Sequence, residues 1–364
     1  MINDKIGAGG FAAMLALSRI FTEATALPGE TVQYGMQRFT VILLSFLLTA
    51  ALYVPLAAVC GRDAERSPLE TIAGGSRLLA GFTGTILSLC LLTSAAETGL
   101  RSHYYASSTV FDSAPSLYFY ILTGAAVLFA VRRGMEASSR TAVITAAILA
   151  ALLILIAAAL SQDIHTDRLY PALADNTETL WSETVREFSL NCEYLIFAVL
   201  CGKVSGKRLY TLPAYLGASC TVLLMMTFMY NTVFGRLTSR LEFPFYTLSS
   251  ISDITLLHRI NGIDVTVWVM AGMLKLASLA FAFGRVVTAC FTGGKDNGKA
   301  AGIAALIFPA AALGLSELFT AYPELYEPVK RVRISGVSLL FVGLFIPAAA
   351  FILGMKSRKR GCAA

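Results

Sequence analysis

The residues of this 364-residue chain that could do chemistry are ionisable groups lodged in apolar sequence. Lys275 stands inside "VTVWVMAGMLKLASLAFAFG", ten residues before Arg285; ten helical residues span about 15 Å, farther than a lysine stem reaches. Glu193 follows Asn191 in "FSLNCEYL", Arg19 and Glu23 flank Thr22 in "SRIFTEAT", and Glu97 and Arg101 close a third apolar run. An ionisable group at bilayer depth costs at least ~2.5–3.5 kcal/mol, so such groups face protein or water and mark a pathway for substrate, ion or proton. Their chemistry is the holding and passing of charge.

Arg19 with Glu23 and Glu97 with Arg101 are spaced i,i+4, so each pair can neutralise itself on one helix face. Lys275 and Glu193 have no such partner on their own segments and must find one elsewhere in the fold.

The elements that position these groups are membrane spans. Hydrophobic residues make up 56% of the chain and charged ones 14%, with a mean hydropathy of +0.68; the apolar residues come in blocks of about 20, the length that crosses a bilayer. Ten blocks are expected as helices, at 8–27, 39–59, 78–98, 116–131, 141–160, 188–201, 209–234, 264–286, 300–317 and 335–355. The chain thus reads as one all-α integral membrane domain of about ten transmembrane helices.

Alternate loops divide the basic residues seventeen to ten, which places both termini in the cytoplasm, with 356–364 a basic tail there. The segment 161–187, "SQDIHTDRLYPALADNTETLWSETVRE", reads as an acidic outer linker. "ALSRIFTEATA" near the start resembles a signal-peptidase region, yet Arg19 and Glu23 are unusual in a signal, so the segment is read as a retained span. The net charge of +6 comes from the cytoplasmic rim and reads as topology and lipid contact, not nucleic-acid binding.

Enzyme chemistry finds no support. "GGKDNGKA" has glycine and lysine at phosphate-loop spacing, but Ala300 stands where Ser or Thr would hold magnesium and no strand precedes it. "GASC" around Ser219 lacks a base, because His103, His165 and His258 fall in outer loops by this topology. The histidines have no metal-ligand spacing, and none of the seven cysteines falls in an outer loop, so neither a metal, a cofactor nor a disulfide framework is expected.

Spans one and six are the least regular and occupy equivalent places if 8–160 and 188–355 are two five-helix repeats. Broken helices in corresponding positions of inverted repeats mark the midplane site of secondary transporters. Both spans are therefore expected to unwind, near Arg19–Glu23 and Ser189–Glu193. The outer segment 236–262, with Leu248, Ile251, Ile254 or Thr255 and His258 at helical spacing, is expected to form short helices over the mouth.

"FPFYTLSSISDITLLHRINGIDVTVWVMAGMLKLASLAFAFGR" resembles the corresponding segment of spore germination permeases. "DRLYPAL" followed by "FSLNCEYLIFAVL" resembles that family's outer segment and sixth span, with Glu193 in the place of its glutamate; "ALPG", "SPLETIAG" and the Leu-Arg closing span three fit the same pattern. Phe21, Thr22 and Glu23 depart from the family's small-residue break in span one, and Cys192 replaces the glycine before the glutamate. The resemblance implies a five-plus-five inverted-repeat fold of the amino acid, polyamine and organocation transporter superfamily. It implies the B subunit of a nutrient germinant receptor in the inner spore membrane, beside A and C subunits, binding or carrying a small nutrient such as an amino acid; the alternative is a proton-coupled amino-acid transporter of vegetative cells. It also places the eighth span against the first, where sodium-coupled relatives hold a cation, so that Lys275 would stand in for that cation and neutralise Glu23 or freed carbonyls.

Overall fold

In the computed structural model, the residues described are 5–26, 35–61, 67–110, 115–169, 177–252, 260–291 and 298–361. The first half of the chain forms α1 (Ala8–Ala24), α2 (Met36–Cys60), α3 (Pro68–Gly75), α4 (Arg77–Thr109), α5 (Ser116–Arg133) and α6 (Met135–Ala159). The second forms α7 (Thr177–Ser189), α8 (Glu193–Leu200), α9 (Thr211–Phe234), α10 (Pro244–Ile251), α11 (Ile260–Val286), α12 (Gly298–Ala321), α13 (Pro323–Ile334), α14 (Val337–Leu340) and α15 (Ile346–Gly361). A π-helical turn, Val287–Phe291, prolongs α11, and another, Phe341–Phe345, joins α14 to α15.

Among the described residues, eight helical stretches are long and apolar enough to cross a bilayer. The expected first and sixth spans are shorter: α1 has 17 residues, and the sixth is divided between α7 and α8. In α11 72% of the most apolar window is buried, against 22–39% in the other seven stretches. It is the central helix, packed on α1, α4, α6 and α12, while the others keep one apolar face outward for lipid, as with Phe82, Leu89, Ile121 and Ile154.

Local sequence sets the corners. Ser67 accepts from the Glu70 amide while Glu70 accepts from the Ser67 amide, a capping box that starts α3. Gly134 turns α5 into α6 at φ 93°, a conformation L side chains avoid. A two-residue parallel pairing of Ile6–Gly7 with Val204–Ser205 ties the start of α1 to the segment after α8.

Three expectations need correction. The linker 161–187 is not loop throughout, because α7 begins at Thr177; Thr184, Glu187 and Phe188, at helical spacing, are buried and give the helix an inner face. The third span runs on to Thr109, so Arg101 and His103 lie in helix rather than outer loop. The first span does not unwind at Arg19–Glu23, for α1 runs unbroken through those residues; its two glycines, Gly9 and Gly10, lie in the first turn and no glycine or proline follows them in the helix, and the Thr22 and Thr25 hydroxyls donate to carbonyls within the helix at Ser18 and Phe21. The outer segment carries a short 3-10 turn, Gly235–Arg240, and then α10; Ile254, Thr255 and His258 lie outside the described residues.

Candidate functional site

The site is built around the interruption between α7 and α8. "SLNCE" favours a break, because serine and asparagine side chains compete with the helix ladder for backbone groups. Ser189 Oγ donates to Arg186 O at 2.6 Å and Asn191 Nδ2 to Phe188 O at 3.3 Å. Tight turns follow, with the amides of Leu190 and Asn191 donating to the Glu187 and Phe188 carbonyls. Chain direction is recovered at Glu193, the first residue of α8. Among the described residues no acceptor meets the Cys192 or Glu193 amide, which leaves the start of α8 with donors that suit an anionic group.

Across this break stands Lys275, from the middle of α11 and 3% exposed. Its ammonium donates to Glu193 Oε1 at 2.8 Å, to Ser18 O at 3.4 Å and to the Thr22 hydroxyl. Ser18 Oγ donates to the same carboxylate oxygen at 2.8 Å. The ion pair therefore joins α11 to α8 and, through Ser18 and Thr22, to α1. Glu193 Oε2 is buried without a donor among the described residues. Of the partners expected for Lys275, Glu23 or carbonyls of the first span, Glu23 pairs with Arg19 and Arg38 instead, and the carbonyl is that of Ser18 in an unbroken helix.

Glu23 belongs to a second cluster. Arg19 and Arg38 each pair with both Glu23 and Glu187; the Arg19–Glu23 contact is 3.6 Å and the Arg38–Glu187 contact 2.7 Å. Two cations and two carboxylates balance, which a buried group of charges requires. Arg19 Nε also donates to Asn191 Oδ1 at 3.2 Å, an oxygen shared with the Tyr215 hydroxyl, so the cluster reaches the α7–α8 break.

The third cluster lies on the other side of α1. Arg101 pairs with Glu97 at 2.7 Å and donates to the carbonyls of Thr22 at 3.2 Å and Thr25 at 3.4 Å, a cation at the negative end of α1. Arg333 of α13 pairs with the same Glu97. The i,i+4 neutralisation read from sequence holds for Glu97 and Arg101, and both residues have further work.

The eight residues named from sequence fall into three clusters that each touch α1: Thr22, Glu193 and Lys275 with α8 and α11; Arg19, Glu23 and Asn191 with α2, α7 and α9; and Glu97 and Arg101 on α4 with α13. Sequence reasoning missed Arg38, Glu187, Arg333 and Ser18. Arg38 precedes its apolar block by one residue, and Glu187 ends a stretch read as linker; of the buried stripe Thr184, Glu187, Phe188 and Asn191 only Phe188 is apolar, so hydrophobic periodicity offered no signal for it.

A cavity of about 340 Å³ adjoins the break, lined by α4, the α7–α8 junction, α13 and α14. At one end of the bundle α10 is tied to α11 and α4. The Asp264 carboxylate of α11 accepts from Trp268 Nε1 at 2.7 Å, from Ser249 Oγ of α10 at 3.2 Å and from the Tyr105 hydroxyl of α4 at 3.3 Å.

A helical membrane bundle with one span broken beside buried charge pairs defines a transporter fold, and solved structures bear this out. A sodium-coupled sialic acid symporter in a substrate-bound outward-open state matches at a TM-score of 0.61 and 10% identity, over 95% of this chain and 78% of that one. The Eremococcus coleocola manganese transporter, in complex with an aromatic bis-isothiourea compound, matches at 0.56 and 12%, over 93% and 76%. A nucleobase-cation-symport-1 family transporter in a closed conformation with bromovinylhydantoin bound matches at 0.52 and 12%, over 92% and 78%. No curated protein matches the sequence. The family model described as spore germination protein matches residues 34–320, and the chain belongs to that family of permeases. The family and the structural neighbours are permeases and transporters rather than enzymes.

Proposed function

We propose that this chain is the permease-like B subunit of a nutrient germinant receptor, binding a small nutrient, an amino acid, at the α7–α8 break. The observation that carries the reading is the Lys275–Glu193 pair at 2.8 Å, because it joins the central helix to the interruption where backbone donors are free. The amides of Cys192 and Glu193 suit a ligand carboxylate, and Glu193 Oε2 suits its ammonium. Lys275, held by oxygens of α1 and α8, takes the role a bound cation has in sodium-coupled transporters of this fold, so ligand response needs no sodium.

The two five-helix repeats, 8–160 and 188–355, the cytoplasmic placement of both termini, and the inner spore membrane as location belong to this reading, as do partnership with A and C subunits and lipid contact. They are supported by the family, the divided sixth span and the seventeen-to-ten distribution of basic residues. The second reading, a proton-coupled amino-acid transporter of vegetative cells, is favoured by the same buried pair, since ionisable groups in contact at bilayer depth are the means by which transporters hold and pass charge.

Reconstituted protein separates the two. Saturable amino-acid binding without net accumulation supports a sensing subunit, and accumulation driven by an imposed proton gradient supports the transporter. Absence of any amino-acid binding rejects both.

A further inference from the structure

The cavity beside the break has a chemistry that narrows the ligand. Its walls are Leu89, Leu195, Pro328, Val329 and Val332, with Cys90, Thr93, Ser94, Ser189 and Cys192 towards α4 and the break. Apart from Ser338 at the α14 side, the hydroxyls are already committed. Thr93 Oγ1 donates to Leu89 O at 3.0 Å, Ser94 Oγ to Cys192 Sγ at 3.4 Å and Ser189 Oγ to Arg186 O at 2.6 Å. Arg333 at its edge is paired with Glu97. A polar or charged ligand side chain would surrender its hydration here and find few donors in return, a loss that hydrogen-bonding sites avoid and apolar pockets impose.

Volume points the same way. About 340 Å³ is more than twice the ~150 Å³ of an engineered apolar cavity that takes up benzene, so a branched or aromatic side chain fits. Leu89 and Val332 at the edge are 62% and 66% exposed; Leu89 belongs to a stretch able to cross a bilayer, where such a face meets acyl chains, and with Val332 of α13 it gives the cavity an apolar mouth.

Resting on the nutrient-binding reading above, we infer that the ligand is an amino acid with a branched or aromatic apolar side chain, its charged groups at the α7–α8 break and its side chain in this cavity between α4 and α13. Hydrophobic pockets discriminate by roughly tenfold or more per methylene filled. Small polar amino acids bind correspondingly worse.

The test uses the full chain reconstituted in lipid, with leucine, phenylalanine, alanine, serine and asparagine as probes. Leucine and phenylalanine are expected to bind at least tenfold tighter than serine or asparagine. Leucine should also slow methanethiosulfonate labelling of Cys90 and Cys192, read residue by residue by mass spectrometry, while serine at the same concentration leaves it unchanged. Val329→Trp should lower the phenylalanine-to-alanine affinity ratio at least tenfold; the labelling arm needs no variant and stands if that protein fails to fold. Amino acids that bind without apolar preference, or leucine binding that leaves both cysteines equally reactive, would overturn this inference and leave the nutrient reading standing. Binding by none of the five overturns the nutrient reading itself.

Discussion

Lys275 Nζ lies 2.8 Å from Glu193 Oε1, and both side chains are at least 97% buried. The two residues are 82 positions apart in sequence, on the unbroken central helix and at the first residue of a half-helix. Each is the other's counter-charge: α8 carries no cation, and the carboxylate on α11, Asp264, is eleven residues from Lys275 and is bonded to Trp268, Ser249 and Tyr105. Removing one partner of a buried pair leaves a charge that water cannot reach, which costs about 3–5 kcal/mol, whereas removing both costs far less.

Lys275→Met is therefore expected to lower stability by about 3–5 kcal/mol and to abolish ligand response while the protein still inserts. Lys275→Met combined with Glu193→Gln should regain most of that loss without regaining response. Thermal unfolding of the two singles and the double in detergent measures the coupling. Additive losses would mean that the pair does not interact as described.

Arg38 bridges Glu23 of α1 and Glu187 of α7. A guanidinium spans two carboxylates with its planar fork, whereas an ammonium is a point charge. Arg38→Lys is expected to lose part of the stability and Arg38→Met considerably more, in that order of unfolding temperature. A methionine variant as stable as the lysine one contradicts the bridging role.

Arg333 holds α13 against Glu97 of α4. Hydrogen bonds to charged groups contribute about 1.5–3 kcal/mol, so Arg333→Ala should speed amide hydrogen exchange in Pro323–Ile334 by roughly ten- to a hundredfold. Exchange in α11 should be unaffected. Unchanged protection of α13 removes the anchoring role.

Much of this arrangement was legible in the sequence, and the misses have physical causes. Long apolar blocks declare bilayer spans because the bilayer imposes length. A lone lysine in such a block declares a hidden partner because hydrocarbon offers none. The identity of that partner was not legible. Glu23 and Glu193 are both carboxylates beside polar residues, and only packing decides which faces α11. The break in span six was legible from Ser189 and Asn191. The same polar texture in "SRIFTEAT" misled, because Thr22 and Thr25 bond to carbonyls within their own helix and leave it intact. Glu187 was hidden by its acidic surroundings, although α7 buries it.

The outer helix α10 is held to α11 by Ser249 and Asp264. Asp264→Ala removes the acceptor shared by Ser249, Trp268 and Tyr105 and is expected to loosen α10. A spin label at Ser250, which is exposed, should become more mobile in this variant, and in the unmodified protein its mobility should change on ligand binding. Identical spectra with and without a ligand that binds would mean that this helix does not move with binding.

The central claim is that Lys275 serves as a built-in cation between α1, α8 and α11. Amino-acid binding to reconstituted protein, titrated with and without sodium in the wild type and in folded Lys275→Met, tests it most directly. The claim predicts wild-type binding that is the same in both buffers, and binding lost or made sodium-dependent in the variant. A strict sodium requirement in the wild type, or wild-type binding by Lys275→Met without sodium, would contradict it.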